Sequence, residues 1–153
     1  MTVKITRVLK ELLDKSGAGS EFLIKEFAAW KAGDEYGSFY FGKDAPYETP
    51  TVDGDKNTLM HVHLVPLVDE DELRQWKKRF RTRSRKTSDR VLVYVSHKRH
   101  GHLLIFILDE PDAHKIARMR TLEHRLLMES FAEIAAEFMD SGEVLERTES
   151  DEE

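Results

Sequence analysis

The sequence predicts an α+β fold in which a largely antiparallel sheet of three to four strands packs with N-terminal helices and a C-terminal helix. Three apolar segments typical of strands, residues 58–68, 90–96 and 103–108, follow in close succession, with one predicted helix between the first two. Only residues 97–102 separate the last two segments, so we expect these to pair as an antiparallel hairpin. Helical spacing of apolar residues dominates both ends of the chain, which places helices before and after the sheet.

The N-terminal third contains one short strand and two helices. Val3 and Ile5 alternate with polar residues and predict a short first strand, which is followed by a helical pattern over 8–13. The segment KSGAGS (15–20) interrupts that pattern. A second helix then begins with Ser20 as its cap and ends at Gly33. Residues 33–58 hold four glycines and two prolines without a sustained period, and they predict a loop.

The middle of the chain alternates strands with one charged helix. In TLMHVHLVPLV (58–68), His61 and His63 fall on one face of the strand, and Met60, Val62 and Leu64 fall on the other. Helical spacing of apolar positions then predicts a helix over 69–80, in which most of the remaining positions are charged.

The last third begins with a strand that has no polar position, LLIFIL (103–108), so both of its faces are predicted to be covered. DEPDAHKIAR (109–118) follows, and its proline and aspartates suit the first turn of a helix. At 3.6 residues per turn His114 and Arg118 share one helix face, with Lys115 beside them. A long amphipathic helix is predicted over 121–139.

The composition indicates a cytoplasmic protein with one domain, residues 1–139, and an acidic tail, residues 140–153. A chain of 153 residues without cysteine excludes disulfides, thiol nucleophiles and zinc sites built on cysteine. No apolar run approaches the roughly 18 residues of a membrane span, and the N-terminus lacks the pattern of a secretory signal. The tail is poor in apolar residues and is predicted to be disordered.

Charge is strongly segregated along the chain. Residues 74–90 contain nine lysines and arginines and a single acid, Asp89, whereas residues 140–153 contain seven acids and one arginine. A basic stretch of this density is the footprint of a phosphate-binding surface, although a solvated helix face would give the same pattern. The acidic tail either competes with RNA for this stretch or serves solubility alone.

The titratable residues point to proton transfer rather than to nucleophilic or metal chemistry. His61 and His63 lie on the less apolar face of their strand. A single histidine there would more often have a structural role, but two on the same face suggest that both rings are exposed to a ligand. The H-x-H spacing supplies only two metal ligands, and no third falls at a diagnostic spacing, so no metal or other cofactor is predicted. A set of His, Lys, Arg and Tyr can cleave RNA without a metal by exchanging protons and stabilising charge on the phosphate.

The order of five segments resembles that of the YafO family of bacterial type II toxins. These segments are FGKDAPY (41–47), HVHL (61–64), LRQ (73–75), VLVY (91–94) and LLIFILDEPDAHKIAR (103–118). The resemblance implies a small RelE/ParE-like α+β toxin that associates with the ribosome and cuts mRNA during translation. It also implies a partner antitoxin and an activity that needs no metal.

The resemblance also implies a set of site residues. His61 or His63 is expected to act as acid or base, with His114 as the second candidate, and Lys115 and Arg118 are expected to bind the scissile phosphate. The catalytic set is completed by Tyr94 and by Asp44, which would orient a neighbouring histidine or cation. The resemblance also carries over Lys43 and Tyr47, which are expected to bind RNA or the ribosome. The basic stretch is denser than the family pattern and favours docking to ribosomal RNA, so its charge adds further residues expected to bind RNA or the ribosome: Arg74, Lys77, Lys78, Arg79, Arg81, Arg83, Arg85 and Lys86.

Two other interpretations remain open at the level of sequence. The first is a non-catalytic module that uses the basic surface of residues 74–90 to hold RNA, the ribosome or a regulatory protein. The second is a toxin with a different target, since related folds inhibit DNA gyrase. The retained histidines favour the endoribonuclease over the binding module, but basic stretches do not distinguish between targets.

Overall fold

A computed structural model describes residues 1–145. Its elements in chain order are β1 (Val3–Ile5), α1 (Arg7–Ser16), α2 (Ser20–Ala32), β2 (Phe41–Pro46), β3 (Met60–Leu64), α3 (Glu70–Arg81), β4 (Val91–His97), β5 (Gly101–Leu108), α4 (Ala113–Ala117) and α5 (Leu122–Ser141). The α+β class and the flanking helices are thus confirmed. The predicted tail lies outside the described residues from position 146 onward, and its first two residues, 140 and 141, are the last of α5.

The sheet has five strands in the order β1-β5-β4-β3-β2, so the prediction of three to four strands is wrong. β1 pairs with β5 in parallel, and the other three pairings are antiparallel. The strand missing from the prediction is β2, which lay in the predicted loop because its sequence FGKDAP neither alternates nor forms an apolar run. It lies at the sheet edge, where Pro46 removes no central ladder bond.

The sheet separates two apolar clusters. On one face α1 and α2 bury side chains such as Leu9 and Phe27 against residues of β3 and β4 that include Val62 and Leu92. On the other face α5 packs on alternate residues of β4 and β5. Both faces of the central strands are therefore covered, as the unbroken apolar run of β5 predicts.

Gly42 lets the chain after α3 run close against β2. A Cβ at this position would lie 2.3 Å from the carbonyl oxygen of Lys86, so no larger residue fits without a backbone shift. The same carbonyl accepts a hydrogen bond of 2.8 Å from the Lys43 amide. This contact brings residues 86–89 alongside β2 and β3, where they border the candidate site.

Candidate active site

An open cleft of ≈ 590 Å³ lies where β3, α3, α4 and the segment preceding β4 meet, on the α5 side of the sheet. We call it the histidine cleft, because three of its lining residues are histidines from two elements, β3 and α4. The residues that line it are Lys43, His61, His63, Glu72, Gln75, Arg79, Thr87, Ser88, Asp89 and His114.

β3 presents two histidines to this cleft, as its alternation predicts. His61 and His63 lie opposite Val93 and Val91 of β4, and their ring centroids are 5.9 Å apart. The His61 ring stacks on Tyr47 with a centroid distance of 4.0 Å. Tyr47 itself is buried, so it supports the histidine ring rather than offering a free surface to RNA.

Both strand histidines are neutral at neutral pH. Burial lowers the pKa of His61 to about 4 and that of His63 to about 4, and the neighbouring cationic groups lower both pKa values further. Each ring can therefore accept a proton at neutral pH, as a general base must.

The backbone of Ser88 holds the His63 ring in place. The Nδ1 atom of His63 lies 2.9 Å from the Ser88 amide nitrogen and 2.7 Å from the Ser88 carbonyl oxygen. With its proton on Nε2 the ring accepts from the amide, and with a proton on Nδ1 it donates to the carbonyl. One residue thus provides a partner for either protonation state of Nδ1.

The third histidine of the cleft comes from α4 and is paired with a carboxylate. His114 Nδ1 lies 2.7 Å from Asp89 Oδ1, and the backbone amide of His114 donates to the same oxygen at 2.8 Å. The ring centroids of His63 and His114 are 5.6 Å apart. Because Nδ1 of His114 is the atom that contacts the carboxylate, Nε2 is the ring nitrogen left outside this contact.

Lys43 and Arg79 are the cations that line the cleft. Lys43 follows Gly42 on β2, and Arg79 lies on α3, where its guanidinium donates to Thr87 Oγ1 at 3.1 Å. Glu72 lies on the same helix face as Arg79, and burial raises the pKa of its carboxyl group. Cations beside the histidines can stabilise negative charge on a bound phosphate.

Two residues of the predicted catalytic set, Tyr94 and Asp44, lie on the opposite face of the sheet from the histidines. The Tyr94 hydroxyl donates to Asp44 Oδ1 at 2.5 Å and accepts from Lys31 Nζ at 2.8 Å. Burial raises the pKa of Tyr94, as does the neighbouring Asp44 carboxylate. Asp44 does orient a cation, but that cation is Lys31 of α2.

Lys115 and Arg118 do not line the cleft either. Both side chains are exposed, and Arg118 lines a separate groove beyond α4. The short helix α4 carries His114 into the cleft, whereas Lys115 and Arg118 are not among the residues that line it.

Lys86 differs from the other cations of the predicted basic surface because it is buried. Its ammonium group lies over the rings of Trp76 and Phe80, at 5.6 Å and 5.4 Å from their centroids. The prediction that Lys86 binds RNA therefore does not fit its place in the fold, where it packs against the inner face of α3.

The exposed cations of the same stretch fall into two groups. The first group forms ion pairs with carboxylates, and it consists of Arg74 with Asp71, Arg83 with Asp34, and Arg85 with Glu35. The second group extends into solvent from the outer face of α3, and it consists of Lys77, Lys78 and Arg81. The second group is the part of the predicted basic surface most available to a large anionic partner.

The sequence does not predict five of the residues that line the cleft, which are Glu72, Gln75, Thr87, Ser88 and Asp89. Asp89 is the one residue of the five that the sequence sets apart, since it is the single acid among the nine cations of residues 74–90. Its partner His114 lies 25 positions further along the chain, so the pairing itself has no local pattern.

The site combines three histidines, the two carboxyl groups of Glu72 and Asp89, and two cations, a set that can exchange protons with an anionic substrate. Within residues 1–145, no three His, Asp or Glu side chains are arranged to hold a metal ion. The same part of the chain contains no helix with the length and apolar character needed to cross a bilayer.

These features define a small α+β protein with a candidate site for acid–base chemistry. The chain belongs to the YafO toxin family of type II toxin–antitoxin systems, whose family model matches residues 28–140. The matched range contains every residue that lines the cleft, and the resemblance stated from the sequence is confirmed. No curated protein and no solved structure gives a significant match. Membership of the family implies an antitoxin as partner.

Proposed function

We propose that this type II toxin, with a RelE/ParE-like fold, is a ribosome-associated endoribonuclease. It cleaves mRNA in the cytoplasm by metal-independent acid–base catalysis and so inhibits translation. The observation that carries the proposal is the convergence of His61, His63 and His114 with Lys43 and Arg79 in one open cleft. Family membership supports a toxin, and the cleft supplies the groups that cleavage of a phosphodiester requires.

In this mechanism His61 or His63 removes the proton from the 2′-hydroxyl group of RNA. The 2′-oxygen attacks the neighbouring phosphorus, and the bond between phosphorus and the 5′-oxygen breaks. His114 donates a proton to that leaving oxygen, which gives a 2′,3′-cyclic phosphate and a 5′-hydroxyl end. Lys43 and Arg79 stabilise the negative charge that develops on the phosphate.

A bound phosphate would strengthen the two strand histidines as bases. In the free protein both have a pKa of about 4, at which imidazole is a weak base. A negative charge next to the rings favours their protonated forms and raises their pKa values towards neutrality. Substrate binding therefore brings the bases closer to the pKa that proton transfer at neutral pH favours.

The test maps the 5′ ends of a reporter mRNA in a purified translation system with and without the protein. Discrete new ends that appear only during translation are expected, and naked RNA treated with EDTA serves as the control for cleavage without ribosomes. Cuts on naked RNA would indicate a free ribonuclease. The absence of cuts in both samples would contradict the proposal and favour the non-catalytic binding module.

A further inference from the structure

A second groove lies beyond α4 and has no role in the proposed proton transfers. We call it the arginine groove, because Arg118 and Arg125 line it together with Thr49 and Thr51 of the loop after β2. Its volume of ≈ 690 Å³ exceeds the ≈ 590 Å³ of the histidine cleft. The groove is large enough to receive part of a nucleotide chain.

Two segments of the chain lead from the histidine cleft to the arginine groove. His114 of α4 lines the cleft, and Arg118, which caps the C-terminal end of α4 in helical conformation, lines the groove four residues later, so about 6 Å separates their Cβ positions. On the β2 side the buried Tyr47 stacks behind His61, and two residues later the chain reaches the groove at Thr49. A strand of RNA leaving the cleft along α4 would therefore enter this groove.

The charges in the groove are arranged along α5. Arg125 lies in the first turns of this helix, beside α4, whereas Glu129 and Glu133 lie one and two turns further along, and Asp53 faces them from the loop. Within residues 1–145 the guanidinium groups of Arg118 and Arg125 have no ion-pair or hydrogen-bond partner. An anion coming from the cleft along α4 would thus meet two available arginines before it meets the carboxylates of α5.

We propose that Arg118 and Arg125 bind the phosphate of the nucleotide that flanks the scissile bond. This inference rests on the proposed function and extends it by one RNA subsite. The planar guanidinium group binds phosphate through paired hydrogen bonds, which suits an arginine pair to this ligand. The scissile phosphate then stays with Lys43 and Arg79, and Arg118 acts one step further along the RNA.

The test measures the binding of fluorescent 2′-O-methyl RNA of two and of four nucleotides at low salt. These RNAs lack the attacking hydroxyl group and stay intact. Wild-type protein is expected to bind the longer RNA about tenfold more tightly or better, because the longer RNA adds phosphate contacts. The variant Arg118→Gln/Arg125→Gln should lose most of that gain. The control Lys98→Gln/Arg99→Gln removes the same charge from the exposed β4–β5 turn and should still bind the longer RNA more tightly than the shorter one.

Two results would overturn the subsite: a wild-type protein without a gain from the longer RNA, or a gain that persists in Arg118→Gln/Arg125→Gln. An arginine variant that loses affinity for an acidic peptide but not for RNA would also overturn it, in favour of a protein ligand. His114→Ala separates this proposal from the proposed function, since it should abolish cutting and keep the gain. If the wild type binds the longer RNA more tightly through the arginines but never cuts mRNA, the proposed catalysis is refuted and the RNA subsite stands.

Discussion

His61 and His63 determine how the histidine cleft responds to protons. Both rings are held by neighbours, His61 by the Tyr47 ring and His63 by the Ser88 backbone, and burial lowers each pKa to about 4. Desolvation keeps the rings neutral, and an anionic ligand would oppose that effect. We therefore expect the pKa values of the pair to rise when a phosphate binds, and under the proposed function the same rings serve as bases.

An NMR titration of the histidine rings tests these pKa values at single residues. In the free protein the resonances of His61 and His63 should titrate with midpoints near pH 4. Addition of a non-cleavable dinucleotide should raise both midpoints, because the phosphate stabilises the protonated rings. Midpoints near the ordinary value of about 6.5 in the free protein would contradict the effect of burial.

Tyr94 is expected to stabilise the fold without taking part in catalysis. Tyr94→Phe removes hydrogen bonds to Asp44 and Lys31 on the helix-covered face of the sheet. The free energy of unfolding, measured in urea, should fall by about 1–3 kcal/mol, and the cutting of mRNA should persist. A folded Tyr94→Phe variant that no longer cuts would restore Tyr94 to the catalytic set.

Among the secondary-structure elements, α3 has three faces with three different surroundings. Trp76 is buried in the protein, and Glu72, Gln75 and Arg79 line the histidine cleft. The outer face carries Lys77, Lys78 and Arg81 into solvent. This division follows from spacing of three and four residues along one helix, and we propose that the outer face serves docking rather than chemistry.

Replacement of the three outer cations of α3 tests the docking role. Lys77→Gln/Lys78→Gln/Arg81→Gln should weaken ribosome binding and make it less dependent on salt. The slope of the logarithm of the binding constant against the logarithm of the salt concentration should fall in magnitude by roughly 0.7–0.9 for each phosphate that is no longer neutralised. Sedimentation with ribosomes at several salt concentrations measures both effects. The control Lys15→Gln/Lys25→Gln/Lys98→Gln changes the same net charge at exposed positions elsewhere, and equal effects in both variants would refute a specific docking face.

Local patterns predict some of these elements and not others. Alternation along β3 correctly places His61 and His63 on one face, and alternation along β4 places Tyr94 opposite the valines beside it. The pattern fails for β2, whose pairing is irregular between Phe41 and Asp44, and so the direction of Asp44 could not be inferred. The pairing of Asp89 with His114 and the burial of Lys86 depend on tertiary contacts that no local spacing encodes.

For the molecule as a whole, the buried His63 and the half-buried His61 link stability to pH. Their folded pKa values of about 4 lie below the ordinary value of about 6.5, so the unfolded chain binds protons that the folded protein does not. Their contribution to stability is therefore complete above pH 6.5 and is lost as the pH falls towards 4. The upper limit is about 3 kcal/mol for each ring.

His61→Phe tests this linkage, because phenylalanine keeps a ring against Tyr47 but cannot titrate. The free energy of unfolding of this variant should fall less steeply between pH 6.5 and 4 than that of the wild type. Urea denaturation at a series of pH values measures the difference, with His124→Phe as a control outside the cleft. Parallel pH profiles for His61→Phe and the wild type would contradict the lowered pKa.

The most direct test of catalysis by the histidine cleft measures how much mRNA the variant His114→Ala cuts during translation. The wild type and His124→Ala serve as references. His124 is a histidine of α5 that does not line the cleft. If the cleft histidines carry out the chemistry, the wild type and His124→Ala produce the same new 5′ ends, and folded His114→Ala produces almost none. Undiminished cutting by folded His114→Ala would contradict a catalytic role for the cleft.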